Sequence, residues 1–446
     1  MIIQLFKIVI PIAFQHLMLS LNSLLDTYMV GKLGNEALAA AGSANKFIGI
    51  AKITLLGILT GNSILTSQFH SKADNRGTSR AFVVNFVLSL TFSLGFAIFY
   101  FVNRKWIPIT FSENPEIQRL AGIYLNVGVF SIIVLSILFP MIASLRSKGV
   151  VNFPFILTTV MLATNFSLNY LLIFGKFGFP KMGMIGAAIA TLVSEIFVVI
   201  VGYIASDLLG YKVISSFEYV KKIPFSFVKK YLTLAVPLTI ANFLWGACLS
   251  KIHNIFGMMG TDALAAFSAL SPVETSIQYL FGGFGSAVLI MVGTELGRNN
   301  FESAYKKAKD ISLIGALIAG IIGSLGYISS GFIASFYNKI SPMSHQYLTS
   351  MIGIFSIFLW VRVFNSISLN GTFRSGGDSV FIFWIVAITS WFMTLPSLYI
   401  GHTHLNWGPV EVYFVANFME IVLALMFVIR FRSKKWMKNL SKREEE

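Results

Sequence analysis

The sequence has little charge and almost no cysteine. Charged side chains make up 12% of its 446 residues, whereas a soluble globular protein carries about a quarter. So few charges cannot cover the surfaces of several soluble domains, which makes a membrane protein the favoured class. The one cysteine, Cys248, can form no intrachain disulfide, and a zinc site made of cysteines is excluded.

What the sequence has instead is a series of long apolar runs. Hydrophobic residues reach 55% of the chain, and a helical run of about 20 residues crosses a hydrocarbon layer of ~30 Å. Helices are expected because lipid offers no hydrogen-bond partner to an open sheet edge. The pattern predicts an all-α polytopic membrane protein with twelve transmembrane helices, at about residues 5–31, 38–66, 82–102, 119–143, 151–174, 183–206, 229–258, 266–294, 311–337, 347–370, 380–401 and 409–430.

Positive charge is unevenly distributed between the two sides of the predicted spans. With the N-terminus inside, 23 of the 34 lysines and arginines lie in inner segments and 7 in outer loops. Because cytoplasmic loops of membrane proteins carry such an excess, both termini are predicted to be cytoplasmic and the protein to lie in the plasma (inner) membrane. The net charge of +15 therefore needs no nucleic acid to explain it.

The stretch from Val9 to Ala44 recurs about half the chain later. A shift of 226 residues places Pro11 on Pro237, and it places the ALAA run at 37–40 on the ALAA run at 263–266. The first copy carries a carboxylate at Asp26, where the second copy has Ile252. The protein is therefore predicted to be a duplicated membrane unit in which one half has an acid that the other lacks.

The repeat continues through the rest of each half. The run LRSKG at 145–149 corresponds to FRSGG at 373–377 at an offset of 228, and Glu195 corresponds to Glu420 at an offset of 225. Similar offsets across six spans predict two parallel six-helix lobes related by pseudo-two-fold symmetry. The predicted bounds are 1–206 for the N-lobe, 207–228 for a cytoplasmic linker, 229–430 for the C-lobe and 431–446 for a basic cytoplasmic tail.

Asp26 is the acid inside the first apolar run. Gln15, Asn22 and Asp26 share one stripe of a helix, because they stand at i, i+7 and i+11. A charge at the centre of a span costs on the order of 2.5–3.5 kcal/mol, so the acid is expected to have a function. It can exchange a proton or, when ionised, bind a monovalent cation. The alternative is a structural ion pair with Lys46 or Lys52.

Two polar pairs at i, i+4 spacing lie in later spans of the first half. Asn165 and Asn169 share a face of the fifth span, and Thr191 and Glu195 share a face of the sixth. These side chains either complete a cation site with Asp26 or hold helices together by hydrogen bonds. In the first interpretation Na⁺ would bind at Asp26, Asn165 and Asn169, and no other metal is expected.

The remaining polar residues inside spans are candidates for the lining of a substrate cavity. Several cations facing one cavity would favour an anionic or zwitterionic substrate. The alternative is that Lys46 extends to the lipid headgroups and that Lys251 pairs with Glu274 or Glu420. The candidates are Gln15, Lys46, Lys52, Lys251, Glu274, Gln278, Arg362 and Glu420.

Other chemistry finds little support in the residues. No arrangement of a nucleophile and a base stands out, and a membrane-embedded enzyme would have to use His16 or His253 as its base. His402 and His404 lie in a short outer loop, and two histidines alone make a poor metal site. The protein is therefore predicted not to be an enzyme and to need no cofactor.

Several motifs resemble those of the multidrug and toxic compound extrusion (MATE) transporters, and they follow the order of that family along nearly the whole chain. Asn169, which is an aspartate in some branches, makes the chain similar to the NorM-type branch. The matching pieces are Pro11, DTYMVGKLG at 26–34, the two ALAA runs, LRSKG at 145–149, LNYLLIFG at 168–175 and FRSGGD at 373–378.

The resemblance implies secondary efflux of small organic compounds in exchange for H⁺ or Na⁺, by alternating access. It also implies that Asp26 matches the coupling acid of the first helix and that Asn165 and Asn169 match the polar pair of the fifth. NorM-type members have an acid in the seventh helix and another in the tenth, and this chain lacks both, so coupling is expected in the N-lobe. In place of the seventh-helix acid it has Leu244, Trp245 and Gly246, and in place of the tenth-helix acid it has Arg362, Val363 and Asn365.

The sequence therefore predicts an efflux antiporter with Asp26 as its coupling site. The alternative is a flippase or exporter of an anionic metabolite or a lipid-linked intermediate, as in relatives of the wider superfamily. The expected partners are a small-molecule substrate and the lipid bilayer, without nucleic acid, and a monomer is expected.

Overall fold

The computed structural model describes residues 1–337 and 340–441, which form helices and loops without any strand in those two ranges. Lys339, which counts among the outer positive charges, and residues 442–446 of the predicted tail lie outside the described residues. Twelve segments of the described chain are long and apolar enough to cross a membrane. The predicted helical membrane fold is therefore confirmed.

The described residues contain six α-helices in the first half of the chain and eight in the second half. The first six are α1 (Ile2–Gly31), α2 (Asn35–His70), α3 (Asn75–Val102), α4 (Pro115–Ser147), α5 (Asn152–Phe174) and α6 (Met184–Leu208). The others are α7 (Phe225–Met258), α8 (Thr261–Gly297), α9 (Phe301–Ile328), α10 (Ser330–Ser335), α11 (Pro342–Ile367), α12 (Ser379–Ala387), α13 (Leu395–His404) and α14 (Pro409–Arg432).

The fourteen helices give twelve spans because a π-helical segment joins α12 and α13 into one span and the short α10 does not span the membrane. α11 continues through a π segment at Ser368–Phe373, and a second π segment at Ile388–Thr394 joins α12 to α13. In the first π segment, a Cβ atom on Gly371 would stand 2.6 Å from the Cβ of Val288 and 2.7 Å from the carbonyl oxygen of Gly285. A side chain at this position would therefore push the segment away from α8.

The chain forms two compact units. One comprises residues 14–239, and in it α4 packs against α2 and α6 while α5 packs against α6. The other comprises residues 1–13 and 240–446, and in it α11 packs against α8, α9 and α14. The lobe bounds given above remain a prediction.

Side-chain caps fix the beginnings of several helices. Asp74 accepts from the backbone N–H of Gly77 at 2.8 Å, and Asn300 accepts from that of Ser303 at 3.3 Å. Because Asn300 starts α9 at Phe301, the ninth span begins about ten residues before the predicted bound of 311. Its lysines, which favoured a loop, lie on the helix instead, and Lys307 pairs with Glu295 at 2.5 Å.

The segment after α6 is held to the ends of α3 and α4. Arg80 donates from Nε to the carbonyl oxygen of Tyr219 at 3.1 Å and from Nη2 to that of Lys222 at 3.0 Å. Lys148 donates from Nζ to the carbonyl oxygen of Lys212 at 2.9 Å, and burial lowers the pKa of its amine. This part of the predicted linker is therefore fixed to the helix ends by hydrogen bonds.

The segment after α14 packs against the second unit in a similar way. The indole of Trp436 is fully buried, and its ring stands 5.6 Å from that of Phe431. A Cβ atom on Gly376 would lie 1.7 Å from the carbonyl oxygen of Trp436, so only glycine fits there. Asn439 donates to the carbonyl oxygen of Gly297 at 3.1 Å. This part of the predicted tail is ordered by packing.

Candidate cation-binding site

Asp26 lies on α1 and receives amide hydrogen bonds from two helices. Asn22, one turn earlier on α1, donates from Nδ2 to one carboxylate oxygen at 3.5 Å. Asn169 of α5 donates from Nδ2 to the other. Hydrogen bonds from amide donors stabilise a carboxylate in its ionised form. The first-helix stripe predicted from the sequence therefore contributes both Asn22 and Asp26 to one site.

The hydrogen bonds continue from Asp26 through α5 to α6. Asn169 also donates to the Oδ1 atom of Asn165 at 2.9 Å, and Asn165 donates to the Oγ1 atom of Thr191 at 3.2 Å. Both asparagines are fully buried, so each other's amides and the neighbouring side chains replace water as partners. The structure thus joins Asn22, Asp26, Asn165, Asn169 and Thr191 in one connected network.

Glu195 lies one turn after Thr191 on α6, at the edge of this network. Its side chain is only 4% exposed, and its Oε2 atom has no hydrogen-bond partner among the described residues. Ser131 of α4 lies beside it, and Asp26 and Lys52 are close enough to act on it electrostatically. Glu195 is therefore the second carboxyl group of the site.

The predicted alternative of a structural ion pair is not what the structure shows. Within the two described ranges, Asp26 forms no ion pair with Lys46 or Lys52. Lys46 is exposed, whereas Lys52 is half-buried and lies near both acids of the site. The charge of Asp26 is therefore not cancelled by direct contact with a fixed cation.

Three buried oxygens around Asp26 lack hydrogen-bond partners in the part of the chain that is described. They are the Oδ1 atoms of Asn22 and Asn169 and the Oε2 atom of Glu195. Carboxylate and amide oxygens are ligands that hard cations prefer, so these residues fit Na⁺. The two carboxyl groups equally fit a proton. The described residues hold no group of three or more His, Cys, Asp or Glu side chains that could hold a metal ion.

Gln15, which was predicted to line a substrate cavity, has other partners. It is buried, donates to the carbonyl oxygen of Pro154 at 3.3 Å and accepts from Nη2 of Arg146 at 2.5 Å. The repeat-related Arg374 makes the corresponding contact with Asn242 of α7 at 3.3 Å. In each half, therefore, the arginine of the repeated R-S-x-G run binds an amide of the first helix.

The polar residues of the second half form a different arrangement. Arg362 of α11 pairs with Glu274 of α8 at 2.8 Å and donates to Asn417 of α14 at 3.3 Å. Tyr413 of α14 also donates to Glu274. The guanidinium of Arg362 stands 5.0 Å from the centre of the Phe355 ring. Arg362 is therefore enclosed by a carboxylate, an amide and an aromatic ring.

Glu420 also has a fixed partner. Asn365 of α11 donates from Nδ2 to Oε2 of Glu420 at 2.7 Å and to its backbone carbonyl oxygen at 2.8 Å. The alternative in which Lys251 pairs with Glu274 or Glu420 is not found in the described residues, where Arg362 pairs with Glu274 and Asn365 donates to Glu420. Lys251 is exposed and has no ion pair among the described residues, and Gln278 is exposed as well.

Sequence analysis missed several members of these two clusters. Tyr413 and Asn417 share one face of α14 with Glu420, and this spacing could have indicated them. Tyr124 of α4 donates to Asn45 at 3.3 Å and lies near both acids of the first half. No signal distinguishes it from other tyrosines in apolar runs.

His253, one of the two histidines considered above as the base of an enzyme, packs on the ring of Phe267, with 5.8 Å between the ring centres.

Comparison with protein families gives one match that covers most of the chain. The model of the family described as MatE matches residues 11–171 and 237–400. Each matched range contains one copy of the internal repeat. The match therefore supports the duplication that the offsets indicate.

Comparison with curated proteins finds bacterial transporters of nearly the same length. A protein of Bacillus subtilis called uncharacterized transporter YisQ is 25% identical, over 97% of this chain and 94% of its own. A probable multidrug resistance protein NorM of Thermotoga maritima is also 25% identical, over 98% of this chain and 93% of its own.

Comparison with solved structures finds the same fold. A MATE protein in a bent conformation has a TM-score of 0.88 at 18% identity and covers 97% of this chain and 96% of that chain. A second match is a MOP superfamily transporter from Pyrococcus furiosus, which is described as having a binding pocket of reverse polarity. It has a TM-score of 0.88 at 18% identity and covers 99% of this chain and 96% of that chain. At this identity the likeness shows the fold alone.

Proposed function

The chain belongs to the MatE family of multidrug efflux transporters, and we propose that it is a secondary antiporter that exports small organic compounds in exchange for H⁺ or Na⁺. It is a multi-pass membrane protein, and its relatives and fold are those of transporters rather than of enzymes. In the proposed mechanism the transporter alternates between access to the two sides of the membrane, and the coupling cation binds at the Asp26 site.

The observation that carries the proposal is the setting of Asp26 inside a membrane span. The carboxylate is held by the amides of Asn22 and Asn169, and no cation of the described residues is in direct contact with it. A fixed ion pair would keep the acid in one charge state, because removing one partner of a buried pair is costly. Amide partners allow the acid to gain and lose a cation while their own positions change little.

The direction of exchange follows from the charges of the loops. The excess of lysine and arginine in the proposed inner segments supports cytoplasmic termini and a plasma membrane location. A membrane potential of 100 mV then contributes ~2.3 kcal/mol to each positive charge that enters from outside. Binding of H⁺ or Na⁺ at the Asp26 site would couple this energy to export of the substrate.

Transport in proteoliposomes tests the proposal. A pH gradient and a sodium gradient are imposed separately, against a panel of cationic and anionic compounds. We expect Asp26→Asn to abolish gradient-driven export, because the amide can neither ionise nor take up a proton. The matched control is Glu302→Gln, which removes an exposed carboxylate at the start of α9. Unchanged export by Asp26→Asn would rule out this coupling site.

The same panel addresses a second candidate, the flippase or exporter of an anionic metabolite or lipid-linked intermediate. Lys46 and Lys251 are exposed and without ion pairs in the described chain, which favours an anionic substrate. Against this, Arg362 is paired with Glu274. Export of anionic compounds alone would select the second candidate.

A further inference from the structure

The two carboxyl groups of the first half differ in their hydrogen-bond partners. We propose that the coupling ion is a proton and that it resides on Glu195, while Asp26 stays ionised beside it. This inference rests on the proposed function and goes beyond it, because it chooses the ion and the atom that carries it.

The donors around each acid support this assignment. Asp26 is half-buried and accepts from two amides, and these stabilise a negative charge. Glu195 is 4% exposed, its Oε2 atom has no hydrogen-bond partner in the described chain, and its neighbouring donor is the hydroxyl of Ser131. A buried carboxylate with an unpartnered oxygen is far more costly than a buried neutral acid. When the pair holds one proton, the proton therefore belongs on Glu195.

The charges around the site also indicate that it binds one proton. Glu195 faces Lys52 from α2, Asp26 from α1 and the phenol of Tyr124 from α4, and α5 contributes the neutral amides of its two asparagines. One cation and two ionised carboxylates leave an excess negative charge. Uptake of one proton makes the buried cluster electrically neutral, which is the state that a medium of low dielectric favours.

The balance of one lysine, two carboxyl groups and one proton also explains why Asp26 would be essential for export without carrying the proton itself. If Asp26 were neutral, Glu195 would be the one remaining counter-charge of Lys52 in the cluster. Glu195 would then stay ionised, and the site would lose its proton-bound state. In the intact site the proton forms an O–H bond with a Glu195 oxygen on loading and returns to water on unloading. The amides of Asn22 and Asn169 keep their bonds to Asp26 throughout.

The second half offers an internal comparison. Glu420 corresponds to Glu195 in the repeat, but it accepts from Nδ2 of Asn365 at 2.7 Å. At the offset of 228 that relates α11 to α4, the first half has Ile137, which has no donor side chain. The duplicated acid is thus supplied with an amide donor to its Oε2 atom in one half, whereas the Oε2 atom of Glu195 has no partner in the described part of the other. Glu420 is therefore the matched control for Glu195.

Infrared difference spectroscopy of the full-length protein in liposomes tests the inference. The spectrum at acidic pH minus that at basic pH reports the C=O band of a protonated carboxyl group. We expect Glu195→Asp to shift this band and Glu195→Gln to remove it, while Asp26→Glu and Glu420→Asp leave it in place. The inference is overturned if the band shifts in Asp26→Glu or Glu420→Asp, or if it is unchanged in Glu195→Gln.

Export by the same proteins separates this inference from the proposed function. Glu195→Gln is neutral and nearly the same size as glutamate, so it should fold normally but lose export driven by the pH gradient. A sodium gradient alone should drive no export by the unmodified protein. If Asp26→Asn exports normally, the proposed function fails. If Asp26→Asn is inactive but Glu195→Gln exports normally, or if sodium alone drives export, the assignment of the proton to Glu195 fails.

Discussion

The two halves share a duplicated frame but treat their intramembrane acids differently. In the second half, Glu274 is paired with Arg362 and Glu420 accepts from Asn365. In the first half, Asp26 is held by amides and the Oε2 atom of Glu195 has no hydrogen-bond partner among the described residues. The second half therefore pairs one of its acids with a buried cation, whereas neither acid of the first half contacts a cation in the described chain.

This difference between the partners of the acids shows that an acid inside a membrane span does not by itself indicate ion coupling. An acid that contacts a buried cation contributes to packing, because separating the pair would strand both charges. An acid without a cation in contact can change its charge without that penalty. The ion pair of Glu274 with Arg362, which has no counterpart at Asp26 or Glu195 in the described chain, distinguishes the second half from the proposed coupling half.

The largest expected effect comes from breaking the ion pair of the second half. Arg362→Met leaves Glu274 buried without its cation, which should lower the free energy of unfolding by about 3 kcal/mol. Thermal unfolding in detergent measures the change. The double variant with Glu274→Gln should recover much of the loss, because both charges are then gone. Equal stability of Arg362→Met and the unmodified protein would contradict the structural role given to this pair.

A smaller effect is expected when Glu420 loses its donor. Asn365→Leu removes the amide donor from the half-buried carboxylate of Glu420, at a cost of about 1–3 kcal/mol. The double variant with Glu420→Gln should recover part of the loss, because the charge that needed the donor is then gone. Thermal unfolding in detergent measures both variants. A loss of the same size in the double variant would indicate packing rather than charge.

The smallest effect is expected at Asn22. Its hydrogen bond to Asp26 is long, at 3.5 Å, so Asn22→Ala should cost only about 0.5–1 kcal/mol of stability. Gradient-driven export should fall in part but not disappear, because Asn169 still binds Asp26. The measurement is the initial rate of export beside that of Asp26→Asn. A complete loss would make Asn22 as important to the site as the acid itself.

Much of the fold could be predicted from the sequence, because hydrocarbon thickness restricts the lengths of apolar helices. The beginning of α9 was placed about ten residues late, since Lys306, Lys307 and Lys309 resemble loop residues. The structure shows that they extend the helix beyond its apolar part. The π segments were not predicted, because no composition signal marks the extra residue in a turn.

The candidate site was predicted in part. Helical spacing grouped Asn165 with Asn169 and Thr191 with Glu195, and the resemblance to the MATE family linked the first pair to Asp26. Spacing within one helix cannot show which faces of different helices meet. This is why the contact of Gln15 with Arg146 could not be predicted. It also explains why the positions of Tyr124 and Ser131 beside the acids were missed.

The contact between Gly376 and Trp436 has a consequence for the order of biogenesis. Gly376 packs against the carbonyl group of a residue that the ribosome adds 60 residues later, and Lys148 after α4 donates to that of Lys212, 64 residues later. Because domains of a growing chain tend to fold in the order of synthesis, the first unit can make its contact before most of the second has been translated. The second unit can complete this packing only after its trailing segment has emerged.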